Sequence, residues 1–179
     1  QTREVQVVLY HKSENEYAAT IQSRPVGVDK WDIHAQAQVM ALSEDSPAPV
    51  DLQSFLNGMT EMPLTDDNSP VDQMVTTGPR WQVEKALWVG SEDAVTMAEI
   101  DKEFAYELER YYFYPSMFDA AVNCSSALNG KTFCLPYYYG SLRIYGKMPE
   151  RIYSHTVKNA KSSSEDGEIN VFDLSLIHI

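Results

Sequence analysis

Cationic residues are scarce in this sequence. Only 14 Lys and Arg stand against 26 Asp and Glu, a formal charge of −12 over 179 residues. Too few positive groups remain to neutralise a row of phosphates, which argues against nucleic acid and anionic membrane as partners. Long apolar runs are missing as well: no stretch approaches the ~20 residues needed to span a bilayer, and no hydrophobic leader follows a basic start. The four histidines, His11, His34, His155 and His178, show no metal-ligand spacing, so each reads as a packed or surface residue rather than a ligand. No cofactor motif and no metal motif is found, and no catalytic residue is selected by pattern.

What is present suffices for a folded core, since 44% of the residues are apolar and the length suits one domain or one lobe of a larger protein. Val5, Val7, Val8, Leu9 and Tyr10 form a β-branched and aromatic run that predicts a buried strand over Glu4 to Tyr10. Ser13 and Glu16 have capping-box spacing and predict a helix from Glu14 to Gln22, stopped by Arg24-Pro25. Ile33, Ala37, Met40 and Ala41 predict a second helix capped by Asp29. A strand is expected over Val83 to Val89. Met97, Ile100, Phe104, Leu108 and Tyr111 then recur three or four apart and predict a long amphipathic helix beginning near Ser91. Pro115 opens a short helix, Ser116 to Val122. Thr132 to Tyr139 and Ser141 to Tyr145 read as strands, and Lys161 to Glu168 as a loop.

The chain starts at Gln1 and ends on Leu174-Ser175-Leu176-Ile177-His178-Ile179. That hexapeptide reads as the translation of CTG TCT CTT ATA CAC ATC, a transposon end used to build sequencing libraries. Residues 174–179 are therefore expected to be foreign, and the native protein to continue past Asp173. Cys124 and Cys134 flank the Asn129-Gly130 turn signal, which leaves two alternatives open: a disulfide in an oxidising compartment, or two reduced and packed thiols. The acidic stretch Asp66-Asp67-Asn68 to Asp72 lacks the glycine and final Glu of a calcium loop and reads as solvated. Tyr137, Tyr138 and Tyr139 follow Leu135-Pro136 where a strand leaves the core. They offer ring faces for stacking on a ligand, the alternative being a tyrosine run buried in the core.

The segments Phe113-Tyr114-Pro115-Ser116-Met117-Phe118-Asp119-Ala120-Ala121 and Leu128-Asn129-Gly130-Lys131-Thr132-Phe133-Cys134-Leu135-Pro136-Tyr137-Tyr138-Tyr139-Gly140 resemble the extracellular solute-binding proteins of carbohydrate ABC importers. Cys134 departs from the glycine usual there. The resemblance implies an α/β fold with a parallel-type sheet and crossover helices, periplasmic-binding-protein-like and incomplete at its C-terminus. Residues 1–139 would form the first lobe of two, and residues 140–173 the start of the crossing into the second. A sugar or oligosaccharide would be held by His11, Ser13 and Glu14 after the first strand, by Gly90, Ser91 and Glu92 after the middle strand, and by Tyr137, Tyr138 and Tyr139. Catalysis and cofactors would be absent. The partners would be the sugar and the membrane permease of the importer, and the protein a monomer outside the cell or in the periplasm, with or without a lipid anchor. Two rival classes stand beside this reading: a carbohydrate-active enzyme working through carboxylates, and a viral or phage structural protein.

Overall fold

The computed structural model describes residues 2–64, 77–128, 136–164 and 167–177. The acidic stretch around Asp66 to Asp72, the Asn129-Gly130 turn, Cys134 and His178 lie outside them. Two compact units divide between Ser46 and Pro47, so positions 139 and 140 both fall inside the second.

The first unit is a three-stranded antiparallel meander of β1 (Arg3–Ser13), β2 (Glu16–Pro25) and β3 (Asp32–Met40). Its register places Val7 opposite Ile21 and Ile21 opposite Ala35, then Leu9, Ala19 and Ala37 across the next row. One face of the sheet is thus apolar by the two-residue alternation of strands, while Gln6, Gln22, Gln36 and Gln38 occupy alternate positions. Two expected helices are strands here. The Ser13/Glu16 pair flanks a two-residue hairpin turn, Glu14-Asn15, instead of capping a helix. Ile33, Ala35, Ala37 and Val39 alternate with polar residues along β3, a period that overrides the helical spacing of Ile33, Ala37 and Met40.

The second unit is a five-stranded antiparallel sheet in the order β4-β5-β6-β7-β8: β4 Thr60–Met62, β5 Glu84–Val89, β6 Asp93–Glu99, β7 Arg151–Ser164 and β8 Gly167–Ile177. Both sheets are antiparallel, which overturns the expectation of a parallel sheet with crossover helices. Connections follow from this. Strands β5 and β6 join through the tight turn Gly90-Ser91-Glu92, closed by the Gly90 N–H donating to the Asp93 carbonyl at 2.8 Å. A Cβ at Gly90 would stand 2.3 Å from Asp93 Oδ1 and 3.3 Å from the Asp93 carbonyl oxygen, so any larger residue there would have to displace the Asp93 side chain. The helix expected beyond Ser91 is strand β6 followed by a short 3-10 segment, Ala105–Glu109. Of the predicted loop from Lys161 to Glu168, Lys161 to Ser164 belong to β7 and pair with Asn170 to Gly167 of β8, and Leu174 to Ile177 continue β8 opposite Thr156 to Tyr153.

A nine-residue helix, Pro115–Asn123, lies across this sheet. The strand positions beneath it are mostly small: Ala94, Thr96 and Ala98 on β6, with Thr156, Ser154 and the larger Ile152 facing them on β7, all at most 1% exposed. Small side chains let the helix backbone approach, and the Ser154 hydroxyl donates to the Ala121 carbonyl at 3.3 Å. Met117 and Ala121 fill the interface with Val83, Ile100, Phe104, Leu108, Met148 and Ile152. Ile100, Phe104 and Leu108, read from sequence as one helical stripe, do reach this core, but from a strand end and a 3-10 turn.

Candidate functional site

The helix is inserted by Tyr114-Pro115. Proline sets φ at the first helical position and gives up an N–H that would have no intrahelical partner. Met117 and Ala121 turn inward, so Asp119 and Asn123, one turn apart, share the opposite side and leave the core. The Asn123 amide donates to Asp119 Oδ2 at 3.2 Å. The Trp81 indole N–H donates to the same oxygen, also at 3.2 Å. Among the described residues no donor reaches Oδ1.

Trp81 ends a single 3-10 turn, Pro79–Trp81, that a charged clamp fixes in place. Arg80 Nε and Nη2 both lie 2.8 Å from Glu107 Oε1, with the guanidinium 4.3 Å over the Phe104 ring. The Tyr114 hydroxyl donates to Glu107 Oε2 at 2.8 Å, and the Tyr106 hydroxyl to Oε1 at 3.2 Å. These donors, the guanidinium first, hold the Glu107 carboxyl below its ordinary range. Burial, and then the hydrogen bond to Glu107 and the charge of that carboxylate, push the Tyr114 phenol up to about 12. Arg80, Trp81, Glu107, Tyr111, Tyr114 and Ser116 line a shallow open pocket beside the helix start.

The residues expected to bind a sugar are scattered. His11 is exposed and stacks on Tyr17 at 5.2 Å, and Ser13 and Glu14 sit at the exposed β1–β2 hairpin. Gly90, Ser91 and Glu92 form the β5–β6 turn of the other unit. Tyr137 and Tyr138 are 95% and 80% exposed in a segment with no regular structure, so neither belongs to a strand. Of the nine, Tyr139 alone reaches the Asp119 neighbourhood. Its ring is 5.8 Å from Phe118, and burial together with the Asp119 charge raises its phenol above the usual value. Cys124 is a free thiol buried at the end of the helix. Burial first, then the Glu84 charge, push it up to about 12 against a partial offset from Thr156. Among the described residues no group of three or more His, Cys, Asp or Glu is placed to hold a metal ion, and no helix is long and apolar enough to cross a membrane.

Asp119 and Trp81 were not singled out by sequence reasoning. The available signal was the i, i+4 pair Asp119 and Asn123 on the face of a proline-opened helix opposite Met117 and Ala121. An Asp–His contact lies elsewhere in the unit: His155 Nε2 is 3.0 Å from Asp93 Oδ2 across neighbouring strands, and the imidazole packs 4.4 Å from the Phe55 ring.

Residues 61–178 match the family model for the polyketide synthase dehydratase N-terminal domain. Among solved structures, the dehydratases of the borrelidin and fluvirucin polyketide synthases superpose with a TM-score of 0.74 at 20% identity, covering 98% of this chain and 60% of that one. The CurK dehydratase superposes through two inactive variants, both at 18% identity. In one an aspartate is replaced by asparagine (TM-score 0.77, 99% of this chain and 70% of that one). In the other a histidine is replaced by phenylalanine (TM-score 0.78, 98% and 69%). No curated protein matches the chain. The chain spans 60% of the length of the first of these structures.

The architecture is a hotdog-like dehydratase fold of antiparallel sheets with few helices, not the lobe of a solute-binding protein. These matches overturn the resemblance to ABC-importer proteins and, with it, the sugar ligand, the permease partner and the non-catalytic role. They equally displace the carbohydrate-active enzyme and the viral coat protein. The Tyr114-Pro115 segment that carried the resemblance marks the start of a helix lying across an antiparallel sheet, not a crossing between lobes.

Proposed function

The chain belongs to the family of polyketide synthase dehydratase N-terminal domains, and from that premise we propose that it supplies the carboxyl half of a dehydratase active site, with Asp119 as the catalytic group. The substrate class is a 3-hydroxyacyl thioester carried on an acyl carrier protein of the same synthase. Removing water from such a substrate breaks two bonds. A base takes the Cα proton, which the thioester carbonyl acidifies, and the released electron pair forms the Cα=Cβ bond as the Cβ–O bond breaks. The departing hydroxyl needs a proton from an acid and leaves as water. One imidazole and one carboxyl can divide these tasks. The inactive CurK dehydratase variants, one changed at an aspartate and one at a histidine, fit that division.

The observation that carries the assignment is the geometry of Asp119. Its Oδ2 is held by two N–H donors, and Oδ1 is left for a substrate oxygen. Among the described residues, three other aspartates of the same unit are engaged elsewhere. Asp51 caps a short helix, Asp101 accepts from the Glu103 N–H, and Asp93 holds His155. The imidazole of the catalytic pair is not assigned to His155, which is bound to Asp93 and packed on Phe55.

The test is turnover of a 3-hydroxyacyl pantetheine thioester by the full-length protein, followed by the appearance of the conjugated enoyl thioester. Asp119→Asn is expected to lower kcat by at least about a hundredfold, the usual scale of a lost general acid or base. Asp93→Asn is expected to retain turnover. Full activity in Asp119→Asn, or loss in Asp93→Asn alone, would transfer the role to the cross-strand pair.

A further inference from the structure

We infer that Trp81 is a positioning residue for this reaction: its indole N–H fixes the rotation of the Asp119 carboxylate so that Oδ1, rather than Oδ2, meets the substrate. The inference rests on the assignment of Asp119 given above. A carboxylate on a two-bond stem turns about its terminal torsion with little restraint, because that torsion has only broad wells. One donor, Asn123, comes from the same helix and moves with it. Trp81 comes from a separate element, 38 residues away in sequence. Two donors from independent elements converging on one oxygen restrain the carboxyl plane in a way that either alone would not.

The indole is held from behind. Arg80, its chain neighbour, is clamped by Glu107 and stacked on Phe104, and Glu107 is in turn held by Tyr114, the residue that opens the Asp119 helix. The turn bearing Trp81 and the helix bearing Asp119 are therefore tied twice, once through Arg80–Glu107–Tyr114 and once through Trp81–Asp119. The first tie sets the distance across which the second hydrogen bond forms. Trp81 is 45% exposed, so core packing does not account for a large indole here, whereas an N–H directed at a carboxylate does.

Substituting tryptophan by phenylalanine changes shape as well as hydrogen bonding, so the decisive variant keeps the shape. Trp81 is replaced in the full-length protein by 3-benzothienylalanine, in which sulfur stands where the N–H was, with 5-fluorotryptophan as the control that keeps the donor. The probe is again a 3-hydroxyacyl pantetheine thioester. Loss of one charge-assisted hydrogen bond is expected to lower kcat roughly tenfold with KM and the thermal midpoint unchanged, while the fluorinated protein keeps its kcat. Unchanged kcat in the benzothienyl protein overturns the inference, as does a fall matched by the fluorinated control. The two readings fail separately. If Asp119→Asn is inactive and the benzothienyl protein is normal, only the role of Trp81 is lost; if Asp119→Asn is active, the assignment of Asp119 is lost first.

Discussion

Asp119 Oδ2 accepts from an amide and an indole at 3.2 Å each, both neutral donors and both partly open to water. Their contribution to folding is accordingly small, and their consequence is the direction in which the other oxygen points. The Arg80–Glu107 pair belongs to the same logic. It is a solvent-accessible ion pair, of a kind that adds little to stability, yet it anchors the turn carrying Trp81. Arg80→Met keeps an unbranched apolar stem and removes the guanidinium, and with it both the hold on Glu107 and the contact over the Phe104 ring. It is expected to reduce kcat about as much as deleting the Trp81 N–H, with little change in the thermal midpoint. Steady-state kinetics and a melting curve on the same preparation check this; a large fall in the midpoint with unchanged kcat would make the clamp a stability device instead.

At the scale of elements, the Pro115–Asn123 helix is held to its sheet by a narrow strip of contact in which Met117 is fully buried. Met117→Ala leaves a cavity over Ala98 and Ile152 and should cost about 2–5 kcal/mol, while Met117→Leu, which nearly conserves volume, should cost less than about 1.5 kcal/mol. Urea unfolding with unchanged m-values would measure both. This helix was legible in the sequence, because Pro115 marks its start and Met117 and Ala121 its buried side. So was β5, and so was β1 as a strand, although Val5, Val7, Leu9 and Tyr10 are exposed in it and not buried as expected. Strands β2, β3 and β6 were not: alanine, which favours helices when read locally, recurs in all three, and in β6 the buried Ala94, Thr96 and Ala98 are small enough for a helix to press on the sheet. In β3 the two-residue alternation Ile33, Ala35, Ala37, Val39 was available and outweighs the helical spacing. In β6 it was hidden, because Ala94, Val95 and Thr96 are all buried and no alternation survives when both faces of a central strand are covered. The site was less legible than the fold, since nothing local in sequence brings Trp81 to Asp119.

For the whole molecule, stability against pH has two limbs, and the buried groups of the second unit set the alkaline one. On the acid side, Glu107 and Glu99 are held below the ordinary 4.5 of a glutamate, chiefly by hydrogen bonds from Arg80 and Arg151. A depressed carboxylate stabilises the fold above its unfolded pKa, and that contribution is lost as pH falls below about 4.5 through the lower folded value. On the alkaline side, Cys124 is pushed from 9.0 up to about 12 and Tyr114 from 10.0 up to about 12, in both cases by burial first. A thiol or phenol with a raised folded pKa remains neutral in the fold while the unfolded chain ionises. Its contribution is fully present below the unfolded pKa and is lost as pH rises from there through the folded value. The thermal midpoint should therefore be nearly flat from about pH 6 to 8 and decline from about pH 9 upward, where Cys124 begins to ionise in the unfolded chain alone. Cys124→Ala removes that group, so it should lower the midpoint at pH 7 through lost packing yet decline less steeply between pH 9 and 10 than the unaltered protein. Parallel declines in the two proteins would mean that Cys124 does not carry the alkaline limb.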